Sequence, residues 1–246
     1  MSDFQYKRAP ITEAVVEIRF ASPIDENRLK KTFKYFSDLY SDYKTIPHHE
    51  IDIDVRQAEE PVARITNIIH TNQFTSADMT QRLHITPNSF LVSQIAPYEG
   101  WGKFCDRIIR DWEILRKGVG FQNIKRVGMR YINRIDMPID GPILRYEDYI
   151  TVYPTLPECL DPCVSHAVNV QVNLEDINSV LNLKTAMVES PLPEHLAMVV
   201  DLDISQIFES PLSDDELYSY LNEARNKKNT VFESCITDKA RELFNQ

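Results

Sequence analysis

Apolar and polar positions alternate over Ala14–Phe20, with Ala14, Val16, Ile18 and Phe20 on one side, the pattern of a strand with one buried face. Ser22-Pro23 breaks it. From about Asp25 to Tyr43 the period changes. Leu29, Phe33, Phe36 and Tyr40 recur at steps of three and four, while Arg28, Lys30, Lys31 and Lys34 stay off that stripe. This spacing predicts an amphipathic helix that packs on a sheet. Ile51, Ile53 and Val55 then alternate with Asp52 and Asp54 in a strand ending near Glu59-Glu60-Pro61. More strands are predicted at about 62–71, 78–86 and 89–95, with Pro87-Asn88 as the turn between the last two, which makes an antiparallel meander.

A second helix, from about Gly100 to Gly118, turns Trp101, Phe104, Ile108, Trp112 and Leu115 inward and Lys103, Arg107, Arg110 and Lys117 outward. A strand at about 125–136 follows, then Pro138, Gly141 and Pro142, and a short helix or turn at 146–150. Val164, His166, Val168, Val170, Val172 and Leu174 alternate with polar residues in the most regular strand pattern of the chain. Strands at 180–189 and 195–204 complete a second meander. Ser213-Asp214-Asp215-Glu216 is a capping-box signature opening a last helix, whose apolar face starts with Leu217, Leu221 and Ala224 and whose tail, 232–244, continues helical.

The order strand, helix, several strands, helix thus occurs twice. It predicts an α+β fold of antiparallel sheets with helices on one face, built as a duplicated unit with halves 1–120 and 121–246 in one compact domain. One irregular antiparallel sheet with three helices fits the same order.

Composition changes this picture in two ways. No run approaches the about 18 apolar residues of a membrane span, and Met1–Pro10 lacks the apolar core of a signal peptide, so a cytoplasmic location is expected. The four cysteines, Cys105, Cys159, Cys163 and Cys235, accordingly read as free thiols. Secondly, the net charge of −10 is uneven. From Trp101 to Ile135 nine basic residues face three acidic ones, so this stretch carries +6 and the remainder −16. A wholly nucleic-acid-coating or lipid-coating surface is excluded, while a local anionic partner at 101–135 is not.

Candidate chemistry is sparse. Period two puts Gly128, Arg130, Ile132 and Arg134 on one face of their strand, and with Arg126 they form a guanidinium row suited to carboxylates or phosphates. The same arginines can instead pair with acids across the sheet, such as Glu17 or Asp201. Lys103, Arg107 and Arg110 form the second candidate surface, which can equally be a solvated helix face. His48, Glu50, Asp52 and Asp54, and likewise Asp201 and Asp203, share faces as metal carboxylates do, but no His-Glu helix motif or calcium loop accompanies them. His166 reads as a hydrogen-bonded core histidine, and Trp101 and Trp112 as core anchors. There is no nucleophile elbow and no glycine-rich phosphate loop among the six glycines. No catalytic residue, metal or cofactor is expected.

The segments Arg8-Ala9-Pro10-Ile11-Thr12-Glu13-Ala14, Tyr98-Glu99-Gly100-Trp101, Arg126-Val127-Gly128-Met129-Arg130-Tyr131-Ile132-Asn133-Arg134-Ile135 and Phe232-Glu233-Ser234-Cys235-Ile236-Thr237 resemble a sporadically distributed bacterial and archaeal family of about this length and of unassigned function. The resemblance covers nearly the whole chain and supplies no reaction. Its patchy distribution is similar to that of mobile-element or antiviral-defence cargo. The missing catalytic constellations and the polarised charge point to a non-catalytic binding or accessory protein working through a protein partner. A sensor of nucleic acid or a nucleotide-type ligand is the alternative. Long meanders leave edges through which a homodimer can form.

Overall fold

The computed structural model describes residues 6–54, 62–139, 141, 145–160 and 163–245, with the backbone alone over 48–54 and 62–69. Its strands are β1 (Ile11–Phe20), β2 (Asp42–Asp54), β3 (Val62–Thr75), β4 (Gln81–Ile85), β5 (Ser89–Ile95), β6 (Ile124–Pro138), β7 (Ala167–Leu174), β8 (Ser179–Glu189) and β9 (His195–Ile207). The helices are α1 (Glu26–Ser37), α2 (Trp101–Val119), α3 (Asp214–Cys235) and α4 (Asp238–Phe244). The nine strands form one antiparallel sheet in the order β2-β3-β4-β5-β1-β6-β9-β8-β7. Two compact units divide the chain. One holds Glu17–Ser93 and Gly100–Lys125, and the other holds the residues up to Val16, Gln94–Glu99 and those from Arg126 onward. They are called here the β2–β5 unit and the β6–β9 unit.

In the β2–β5 unit the expected β1 face is buried, with Ile18 fully covered and Phe20 stacked at 6.2 Å on Trp112 of α2. Asp25 starts α1 by accepting the Arg28 N–H at 2.9 Å, and Phe36 packs at 5.4 Å on Phe74 of β3. The expected helix over 25–43 stops at Ser37, because Tyr40 is used as a core residue from the turn beyond it and β2 starts at Asp42. β2 is a terminal strand whose first residues are mostly exposed, so its opening half carries no alternation to read. The helices α1 and α2 touch closely at Gly118, where an added Cβ would stand 2.2 Å from Thr32 Cγ2.

Two residues of α2 depart from expectation. Arg107 is not on the outer face; it is 6 % exposed, and its guanidinium donates to the Ser93 carbonyl at 2.8 Å. Asp111 is wholly buried. It accepts the Tyr40 hydroxyl at 2.5 Å and the Arg110 Nε–H at 2.8 Å, while burial, the largest cause, pushes its pKa up. The buried stripe of α2 is wider than its apolar residues, because 107 and 111 lie beside 104, 108, 112 and 115 on the wheel. Trp112 is the expected core anchor, whereas Trp101 is only half-buried.

In the β6–β9 unit, Val127, Met129, Tyr131, Asn133 and Ile135 of β6 are buried as their period predicts. The register sets Tyr131 opposite Leu202, Leu202 opposite Leu183 and Leu183 opposite Val170, which defines one apolar face across β6, β9, β8 and β7. The buried side of α3, from Leu217 to Cys235, belongs to the same core. The capping box forms as expected, with reciprocal bonds between Ser213 and Glu216. The tail is not one helix. Ile236 is extended and bridges to Ile150, after which Thr237 caps α4. The strand expected over 164–174 starts at Ala167, and its valines are not core residues: Val170 is 38 % and Val172 44 % exposed. Alternation identifies a two-faced strand but not whether anything lies over it, and β7 is the last strand of the sheet.

Candidate functional site

The arginine row lies on the other face of the β6–β9 unit, where β9 supplies partners to Arg126 and Arg130 and β6 itself supplies one to Arg134. Arg130 donates from Nε to Asp201 Oδ1 at 2.8 Å and from its terminal nitrogen to Oδ2 at 2.7 Å, a bidentate pair that raises the Arg130 pKa mainly through those bonds. Arg126 reaches Asp203 at 3.8 Å and Arg134 reaches Asp136 at 3.2 Å. Asp201 is the cross-sheet partner named from the sequence, and Glu17 pairs with Arg19 at 3.0 Å. The pairing leaves the Arg130 side chain 45 % exposed. Around it stand Lys184, opposite Asp201, and Asn182, opposite Asp203. The row is therefore a mosaic of fixed guanidinium forks and carboxylates rather than a bare cationic strip.

The three basic residues expected on α2 are not equivalent. Lys103 is exposed, Arg110 is anchored to the buried Asp111, and Arg107 is inside. They belong to the β2–β5 unit and the arginine row to the β6–β9 unit. The side chains of His48, Glu50, Asp52 and Asp54 lie outside the described residues. Asp201 and Asp203 are engaged by arginines, and among the described residues no group of three or more His, Cys, Asp or Glu side chains stands ready for a metal. His166 packs against Tyr146 at 4.7 Å between ring centres. Contrary to expectation neither ring nitrogen is hydrogen-bonded among the described residues, and burial lowers its pKa.

The segments 8–14, 98–99, 126–135 and 232–237 belong to the β6–β9 unit. Pro10 accepts the Arg134 N–H at 2.8 Å, and the Thr12 hydroxyl donates to the Ile132 carbonyl at 3.0 Å. Tyr98 and Tyr131 hold their hydroxyls 3.0 Å apart. Glu233 accepts the Tyr6 hydroxyl at 2.7 Å and the Arg241 Nε–H at 2.9 Å. Against Tyr131 stands Lys228 of α3, 7 % exposed, with Nζ 3.9 Å from the ring centre. It was missed in the sequence although a signal was there: Leu217, Leu221 and Ala224 extended by steps of four reach 228 and 232, so Lys228 falls on the buried stripe. Burial, then Arg225, lower its pKa to about 7, against an opposing pull from Glu233.

Fold and site together define an α+β protein whose antiparallel sheet carries arginine–aspartate pairs on one face of the β6–β9 unit and a buried lysine–tyrosine cluster on the other. No helix among the described residues is long and apolar enough to cross a membrane. No protein-family model matches the chain, and no curated protein matches it.

Proposed function

We propose that the chain is a non-catalytic binding or accessory protein that docks a protein partner on the arginine–aspartate face of its β6–β9 unit. The observation that carries this reading is the bidentate Arg130–Asp201 pair, held rigid yet 45 % exposed, with Arg126–Asp203 and Arg134–Asp136 in the same row. Guanidinium groups already matched by carboxylates favour a protein surface of mixed charge, because a polyanion has to displace those carboxylates or bear their repulsion. The alternative, a sensor of nucleic acid or a nucleotide-type ligand, draws on the +6 stretch from Trp101 to Ile135. A membership of the sporadic family named above sets this role in antiviral defence or mobile-element biology.

Affinity capture from the native host with the full chain and with Arg130→Ala/Arg134→Ala separates the readings. Stoichiometric protein capture by the parent chain, lost in a double variant that keeps its circular dichroism spectrum and melting temperature within a few degrees, supports the proposal. Unchanged capture removes the row from the account. Nuclease-sensitive material instead, with affinity falling steeply as salt rises, favours the sensor.

Two further readings belong to this proposal. The halves are copies of one unit: in each, the first strand lies beside the last strand of its own meander, β1 beside β5 and β6 beside β9. Self-association occupies β7, a terminal strand without charge or proline, against the usual protection of edges. Antiparallel pairing with a second copy about a twofold axis at Val170 sets Val168 against Val172 and Asn169 against Gln171.

A further inference from the structure

The buried stripe of α3 is apolar from Leu217 to Cys235 except at Tyr220 and Lys228. A lysine in such a stripe has to pair, hydrogen-bond or give up its charge. Lys228 does not pair: Nζ lies 3.9 Å from the Tyr131 ring centre, and among the described residues no ion pair or hydrogen bond reaches it. Nor is the residue sealed, since 7 % of its surface stays exposed. The amine of a side chain that is nine-tenths buried and has no hydrogen bond among the described residues is a nucleophile in a desolvated setting. The groups that act on it come from three segments. Tyr131 of β6 lies under it, Tyr98 shares a hydroxyl contact with Tyr131 at 3.0 Å, and Arg225 and Glu233 act by charge from α3 itself.

We propose that Lys228 is a carbonyl-capture site that holds a small aldehyde or 2-oxo acid as a reversible imine. The Nζ lone pair attacks the carbonyl carbon, and the C=O π pair moves to oxygen, which takes up the proton released from nitrogen. The resulting carbinolamine loses that oxygen as water and leaves a C=N bond. No oxidant or reductant is consumed. Tyr131, whose ring lies 3.9 Å from Nζ and whose hydroxyl is 3.0 Å from that of Tyr98, is a group that can pass the proton, and the positive charge of Arg225, which acts on Lys228 more strongly than the opposing Glu233, favours a carbonyl compound bearing a carboxylate. With a pKa of about 7, half of the Lys228 amines are uncharged at neutral pH, about a thousandfold more than for an ordinary lysine. This site is independent of the arginine row, on the opposite face of β6.

The test uses the full chain, glyoxylate as the probe and sodium borohydride, which reduces an imine to a stable secondary amine, followed by peptide mass spectrometry. At about pH 7.5 the expected result is one carboxymethyl group on Lys228, about tenfold above any other lysine. Lys228→Met, an apolar side chain of similar length, abolishes that adduct and keeps the fold. In the parent chain the labelling rate reaches half its plateau near pH 7, where an ordinary lysine would still be climbing, and this readout needs no variant. Even labelling across all lysines, no adduct at Lys228, or a rate that is still climbing through pH 9 overturns the proposal.

Discussion

Replacing Lys228 by methionine tests whether the folded chain carries an uncharged lysine in its core. In the native state Lys228 titrates at about 7, and in the unfolded chain at about 10.4. Between those values the unfolded chain binds the proton and the folded chain does not, so stability rises with pH, by at most about 1.4 kcal/mol per pH unit. Integrating the two titration curves from pH 7 to 9.5 gives a rise of about 3 kcal/mol from this one residue. The tyrosines whose pKa values are raised by burial, Tyr6, Tyr40 and Tyr220, titrate above this window and are common to both proteins. Methionine fills the same slot with no charge to desolvate, so Lys228→Met is the more stable protein at pH 7, and its advantage shrinks by about 3 kcal/mol by pH 9.5. Urea unfolding followed by circular dichroism at several pH values measures that difference directly. A gap that stays constant within about 1 kcal/mol, or widens with pH, refutes the buried neutral amine.

Asp111→Ala strips the buried carboxylate from Tyr40 and Arg110 and should cost about 3–5 kcal/mol in thermal or urea unfolding read by the fluorescence of the buried Trp112, with Asp111→Asn milder; a loss under about 1 kcal/mol would show that the network is not structural. Val170→Lys puts a charge on the terminal strand β7 and should convert a dimer to a monomer in sedimentation, while a parent chain that is already monomeric at high concentration ends the self-association reading.

Periodicity alone located most of the elements, because a buried face repeats every second residue in a strand and every three or four in a helix. Ser89–Ile95 has the bounds its sequence pattern predicts, the inward face of β6 is the one its alternation names, and the capping box at Ser213 marks the start of α3. The chemistry of the arginine row was half legible. Alternation placed Arg130 and Arg134 on one face, and charge complementarity pointed to Asp201, but only the β6–β9 register made the pair bidentate.

What the tertiary structure decided is how far each patterned face is covered. Pattern cannot distinguish a valine under a helix from one on the last strand of a sheet, which is why β7 reads as core and stands half-exposed. Nor does a charged residue declare that it is buried. Arg107, Asp111 and Lys228 all look like surface positions by residue type, and all three are inside, because neighbouring elements supply a carbonyl, a hydroxyl or an aromatic face that no local window contains. A face is a property of one segment and is written in the sequence. Its cover belongs to segments far apart in the chain and exists only once they pack.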